Sequence, residues 1–293
     1  MNAMRLNYVI LTGLLLMMTG IVNAQNGSGA ESAPTPDETL AWLKKLDENY
    51  DRPRFQTLTT ERLKTLTAIT LGGHTKDGGH VRIAPEEFRY LLPLVSLQRA
   101  NLGEIEGLGD EALVYIGQLT SLTHLHLHDG AITAEGLKHL TNLQNLELLI
   151  LGANRELNDA GMAALANLKS LKDLRISYTQ VGDDGLKMLQ QLPRLEALWI
   201  IHTNVTDKGI GYLSEIKTLK RLYINLWDKN ERVTEQALAT LKQALPDLEV
   251  DSQPQLQPEK DDVALEGAWL YDDLDAGYAE AKRTGKPMLV VFR

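Results

Sequence analysis

The chain has 293 residues, 43% of them apolar but only 5% aromatic, and a formal charge of -9. That acidic balance argues against nucleic acid and anionic membrane as partners, since both repel a net negative surface. There is no cysteine, which removes thiol catalysis, thiolate metal sites and disulfide staples from the chain as it stands.

Residues 1–24 have the layout of a secretory signal peptide. Arg5 supplies the positive start, Tyr8 to Val22 is apolar with a break at Thr12-Gly13, and Val22-Asn23-Ala24 offers small residues before a cleavable bond. The apolar stretch is short of the roughly 20 residues that a spanning helix needs, so the expectation is export to the periplasm or the extracellular space, with no stable membrane insertion after cleavage. An uncleaved anchor is the alternative. Residues 25–34 have the small, polar composition of a flexible linker.

A helical cap is predicted over residues 35–60. Thr35 reads as its N-cap, Pro36 as its first helical residue and Glu38 as the closing member of a capping box. Leu40, Leu43 and Leu46 follow at helical spacing beside Trp42. Such a cap would cover the open apolar end of what comes next.

Residues 61–250 are a repeat. Its clean part reads Leu-x-x-Leu-x-x-Leu-x-Leu, a polar turn, a Thr/Asn/Asp cap, a Gly and Leu-x-x-Leu. The third leucine falls at Leu125, Leu149, Leu174, Leu198 and Leu222, a period of 24 or 25 residues. A fixed period in this range marks a solenoid whose units bury apolar surface only against their neighbours. Extending the pattern outward, through Leu63–Leu71 and Leu94–Leu102 to Leu245–Val250, predicts about eight strands and seven helices. The Gly-rich stretch 72–80 reads as a surface loop inserted in the first unit.

Each unit has an inner logic. Strand leucines such as Leu125 and Leu127 go to the core, while His124, His126 and His128 alternate to the other face. Asn154, Thr179 and Thr203, three residues after the last strand leucine, are placed to bond turn amides. Gly136, Gly161, Gly185 and Gly209 recur three residues after the helix cap. Glycine inside a helix costs about 1 kcal/mol relative to alanine, so its recurrence implies close packing of helix on strand, and Gly136→Leu should pry one unit open.

The segments Leu122-x-x-Leu125-x-Leu127, Leu171-x-x-Leu174-x-Ile176-x-x-Thr179-x-Val181 and Leu195-x-x-Leu198-x-Ile200-x-x-Thr203-x-Val205 resemble leucine-rich repeats, close to the ribonuclease-inhibitor-like and cysteine-containing types. The resemblance covers roughly residues 60 to 250. It implies an α/β solenoid, or horseshoe, with a parallel sheet on the concave face and helices on the convex face. Similar repeats occur in F-box substrate receptors, but no F-box is visible here and the expected export points to another compartment.

Two series of residues face the concavity. The first is Thr70, Asn101, His126, Ile150, Arg175, Trp199, Tyr223 and Glu249; the second, two residues on, is Gly72, Gly103, His128, Gly152, Ser177, Ile201, Asn225 and Asp251. Trp, Tyr and Arg dominate binding hot spots. His126, His128, Arg175, Trp199, Ile201, Tyr223 and Asn225 are therefore the candidate partner-binding residues, with Trp199, Ile201 and Tyr223 forming one patch on neighbouring strands. The competing reading is that these aromatics only pack on each other. His124, His126 and His128 stand roughly 6.6 Å apart on one strand face, so two could reach one metal ion, but the only acidic candidates for a further ligand are Asp129 and Asp173. Three solvated histidines is the reading carried forward, with no metal.

Residues 251–266 read as a second linker. Residues 267–293 leave the repeat: a Trp269-to-Ala281 amphipathic helix, then Gly285-Lys286-Pro287 and the apolar strand Met288–Phe292. This stretch resembles the opening of thioredoxin-like domains, where a Cys-x-x-Cys pair follows that strand; the sequence ends at Arg293. A short segment docked on the solenoid is the alternative. No phosphate loop, paired catalytic carboxylates or Ser-His-Asp arrangement is present, so no cofactor is expected. The expected function is non-enzymatic binding of a protein or peptide through the concave face. The alternative is the recognition part of a thioredoxin-like thiol-disulfide oxidoreductase, and metal binding by the His-x-His-x-His run comes third.

Overall fold

The computed structural model describes residues 32–50, 54–73, 75–225 and 232–252. The chain divides into the units Met1–Ala33 and Pro34–Arg293, and all that follows belongs to the second. The signal-peptide segment, the first linker up to residue 31 and the thioredoxin-like stretch lie outside the described residues.

Thr35 opens helix α1 (Pro36–Leu46) with the expected capping box, its hydroxyl accepting from the Glu38 N–H while Glu38 Oε2 accepts from the Thr35 N–H at 2.7 Å. Trp42, Leu43 and Leu46 are buried, and the Trp42 ring stacks on Tyr90 at 5.4 Å. Behind α1, Arg54 closes the first strand. Its guanidinium donates to the carbonyls of Thr70 and Gly72 at 3.3 and 3.0 Å and lies 4.1 Å over the Tyr50 ring. Those carbonyls belong to a sheet edge, where unpaired backbone groups invite pairing with another chain; the cap satisfies them with a side chain.

The repeat gives eight parallel strands, β1 (Ala68–Thr70), β3 (Arg99–Asn101), β5 (His124–His126), β6 (Leu148–Ile150), β7 (Asp173–Arg175), β8 (Ala197–Trp199), β9 (Arg221–Tyr223) and β10 (Glu249–Asp251), hydrogen-bonded in that order. The middle residue of each three-residue strand is apolar and faces the helices; Leu125, Leu149, Leu174, Leu198 and Leu222 are all 0% exposed. Short helices return each unit: a 3₁₀ turn at Pro85–Leu91, then α3 (Asp110–Ile116), α4 (Ala134–Leu137) with a 3₁₀ extension, α5 (Asp159–Leu165), α6 (Asp183–Leu189), α7 (Asp207–Leu213) and α8 (Glu235–Ala244). This is an α/β leucine-rich-repeat solenoid. Helix α2 (Thr60–Lys64) leads into the first strand.

Two features depart from the sequence reading. Val81–Arg82, just after the glycine-rich insertion, pairs in parallel with Ile105–Glu106 as a second, two-stranded sheet (β2, β4). The last strand is also displaced. Val250, not Leu248, pairs with Leu222, so Glu249 lies beside Arg221 and Asp251 beside Tyr223. The leucine spacing that precedes β10 is one residue shorter than in the other units, which moves Glu249 out of the series that contains Trp199 and Tyr223.

The recurrent glycines also have a different cause from the one expected. Asp110, Asp183 and Asp207 each occupy the first helical position of one unit and accept from the N–H and hydroxyl of the next unit's cap: Asp110 from Thr133 at 2.8 and 2.6 Å, Asp183 from Thr206 at 2.8 and 2.7 Å, Asp207 from Thr234 at 2.7 and 2.9 Å. Asp159 accepts from the Gly182 N–H in the same way. A Cβ on Gly136, Gly185 or Gly209 would fall 2.1, 2.7 or 2.4 Å from the carboxylate oxygen of Asp110, Asp159 or Asp183. The glycine therefore makes room for the preceding helix's aspartate rather than for a strand. Gly161 follows the one unit that begins with alanine, Ala134, and there a Cβ would instead meet leucine methyls of Leu157 and Leu137 at 2.6 and 3.1 Å.

At the strand-to-turn step, Glu104, Asp129, Ala153, Tyr178 and His202 all adopt left-handed backbone, with φ between 52° and 59°. Non-glycine residues pay roughly 1–2 kcal/mol there. The geometry directs each turn N–H along the solenoid axis: Glu104 donates to His128, Asp129 to Gly152, Ala153 to Ser177 and Tyr178 to Ile201. Below the turn, Asn154 is fully buried, and its Oδ1 accepts from the Ile132 N–H at 3.0 Å, a turn amide as expected. Thr179 and Thr203 differ from expectation, since their hydroxyls donate to the Ile176 and Ile200 carbonyls instead of accepting from turn amides.

Candidate functional site

With the middle strand residues committed to the core, their neighbours project from the sheet face opposite the helices. Register places Arg175, Trp199 and Tyr223 side by side on β7, β8 and β9. Their side chains form one stack. The Trp199 and Tyr223 rings lie 3.6 Å apart at 14°, and the Arg175 guanidinium sits 4.8 Å from the Trp199 ring on β7's side. Asp173 holds Arg175 from the same strand at 3.4 Å. Both faces of the indole are thus occupied from within the chain, and the stack presents its edges and the outer face of Tyr223. The aromatics do pack on each other, and Arg175, Trp199 and Tyr223 each remain only partly buried. Aromatic and cation–π contacts of this kind contribute about 0.5–1.5 kcal/mol each, and they fix the rings in place.

Ile201 does not belong to the exposed patch. Two residues beyond Trp199 and just past the end of β8, it is 3% exposed, with its N–H donating to the Ser177 hydroxyl at 3.2 Å. Asn225 is half-buried, with Nδ2 3.2 Å from His202 Nε2. His202 in turn meets Tyr178 with ring centroids 4.8 Å apart. This Tyr178–His202 pair, on two successive left-handed turns, extends the aromatic surface to the rim. The alternation of strand residues gave no signal for it, since both lie beyond the strands.

The three histidines of β5 and the residues just after it separate. His126 is 9% exposed and its Nε2 has no hydrogen-bond partner. His128 is half-buried, its ring 6.0 Å from that of His126 and tilted by 60°. His124 places Nδ1 2.9 Å from the Thr123 hydroxyl. Among the described residues no group of three or more His, Cys, Asp or Glu is placed to hold a metal ion.

Burial, reinforced by His128 and Arg175, pushes the His126 imidazole from 6.5 down to about 3. The unfolded chain therefore binds more protons than the folded one between those values, so stability is present above pH 6.5 and is lost as pH falls through the window. His126→Gln is expected to flatten that loss by about 3 kcal/mol at pH 4. Urea unfolding of both proteins at pH 7 and pH 4 reads it; an identical pH dependence would show that His126 is not the titrating group.

The leucine-rich repeat family model matches residues 118–140 and 167–189. No curated protein matches the chain. Solved structures similar to it include internalin C2 of Listeria monocytogenes, 20% identical, covering 67% of this chain and 100% of that one with a TM-score of 0.38. Another is the Arabidopsis receptor kinase HAESA in complex with the peptide hormone IDA and the co-receptor SERK1, 19% identical, covering 46% of this chain and 24% of that one with a TM-score of 0.37. Among the described residues no helix is long and apolar enough to cross a membrane.

Proposed function

We propose that this chain is an exported, non-enzymatic binding protein that recognises a protein or peptide through the sheet face opposite its helices, with the Arg175–Trp199–Tyr223 stack as anchor. One observation carries the reading: two large aromatics and an arginine are held in register on that face, partly buried, by contacts the solenoid core does not require. Pre-ordered rings lose little rotamer freedom on binding, which favours them as contact residues. His126 forms the floor of the face, with His128 beside it, and Asn225 follows Tyr223 two residues on. Export rests on the amino-terminal sequence pattern. Pull-down from an envelope extract with the wild type and a Trp199→Ala/Tyr223→Ala variant tests the site. At least a tenfold loss of one captured partner is expected, and equal recovery of every partner would rule out the stack as the anchor.

A further inference from the structure

We propose that Arg99 and His124, near the amino-terminal end of the same sheet face, form a subsite for an acidic side chain of a bound peptide; this rests on the reading that the face is the working surface. The two residues are register partners on β3 and β5, so their side chains rise from strands about 4.8 Å apart. Arg99 is half-buried, its Nε is enclosed without a hydrogen-bond partner, and no carboxylate pairs with it among the described residues. Arg175, on the same face, is by contrast held by Asp173.

Among the described residues the surroundings give Arg99 no carboxylate. The face positions of β1, β3 and β5 and of the residues just after them are Ala68, Thr70, Gly72, Arg99, Asn101, Gly103, His124, His126 and His128, with no carboxylate in the set. The acidic groups nearest His124 are already engaged, Glu147 by Lys172 at 3.0 Å and Asp173 by Arg175 at 3.4 Å. Burial and the Arg99 charge both push the His124 imidazole below its ordinary value, as two cationic groups facing each other require. A carboxylate fits this pair: the guanidinium offers a planar fork that matches it with two parallel N–H···O bonds, and the imidazole, which a bound carboxylate draws toward its protonated form, then adds a third donor at Nε2, Nδ1 facing the Thr123 hydroxyl.

The subsite also sets a spacing. Four to five strand intervals separate β5 and β3 from β9, about 19–24 Å. An extended peptide rises about 3.3 Å per residue. A bound segment would therefore carry its Asp or Glu about six or seven residues from the residue that packs on Tyr223.

The test is histidine-ring NMR of the whole protein titrated with N-acetylglutamate α-amide, whose only carboxylate is on the side chain, against N-acetylglutamine α-amide. A saturable shift of the His124 ring signals with the first probe alone is expected, weakened at least tenfold in Arg99→Gln and unchanged in Trp199→Ala. Arg99→Lys, which keeps the charge and the fold but loses the fork, should titrate more weakly than wild type. Equal shifts with both probes, or an Arg99→Lys titration equal to that of the wild type, would overturn the subsite. The readout does not use the peptide partner, so loss of the shift and failure of the pull-down are separable results.

Discussion

Asn154→Ala is expected to cost about 3–4 kcal/mol, with a fall of roughly 10 °C in Tm. Asn154 is 0% exposed. Its Oδ1 accepts from the Ile132 N–H at 3.0 Å, and its Nδ2 donates to the Leu127 and Leu151 carbonyls at 2.9 and 2.8 Å, with Gly152 at 3.4 Å. The side chain thus joins the turn of its own unit to the strand and helix approach of the preceding one. Truncation leaves a buried donor and up to three carbonyls without that partner, each costing about 1–3 kcal/mol less whatever water recovers. Asn154→Asp should be at least as damaging, since a carboxylate has no proton to give to those carbonyls. Thermal unfolding followed by circular dichroism measures both; a loss under about 1 kcal/mol would mean that the turn does not depend on this amide.

The second large effect is at Gly136. Alanine there should destabilise by about 2–3 kcal/mol even though it gains about 1 kcal/mol in helix propensity. Its Cβ would lie 2.1 Å from Asp110 Oδ1, 2.7 Å from the carboxyl carbon and 3.0 Å from Asp110 Cα. The carboxylate must move, and the Thr133 cap loses both its hydrogen bonds. The same substitution at Gly161, in an equivalent position, crowds only the ends of two leucine side chains, the Ala134 backbone lying at an ordinary 3.5 Å, and should cost about 1 kcal/mol or less. With Asp110→Ala as background, Gly136→Ala should become milder by about 1–2 kcal/mol, a coupling that a double-mutant cycle reads directly. Equal costs at Gly136 and Gly161, with no coupling to Asp110, would contradict the inter-unit cap.

These two positions also show how far the sequence was legible. The period of the leucines placed the core, the strand order and the number of units, because alternation along a strand and stacking of units are local rules. The recurrence of Gly136, Gly185 and Gly209 was visible as well, but not its reason: each partner is an aspartate one unit earlier, a contact that no local pattern encodes. Strands of two residues, such as Val81–Arg82 and Ile105–Glu106, are too short for periodicity to reveal. The displaced register of β10 arises from one missing residue between Leu248 and Val250, which shows only when hydrogen bonds choose between two pairings.

The face was legible as a list of positions and less so as a surface. Arg175, Trp199 and Tyr223 stand where alternation put them. Whether their rings would splay or stack depends on rotamers set by three adjacent strands, and Ile201, which alternation also put on the face, is buried. His126 was expected in solvent, yet it lies in the floor. The Tyr178–His202 pair belongs to left-handed turns, a conformation that tyrosine and histidine adopt only where the surrounding hydrogen bonds impose it.

Site-specific photo-crosslinking distinguishes the sheet face from the helix face as the working surface. A benzophenone side chain at Ser177, on the face beside the stack, should capture a partner from the envelope extract, and the same probe at Lys187, on the exposed side of helix α6, should not. Capture from Lys187 with none from Ser177 would place the working surface on the helices and contradict the account.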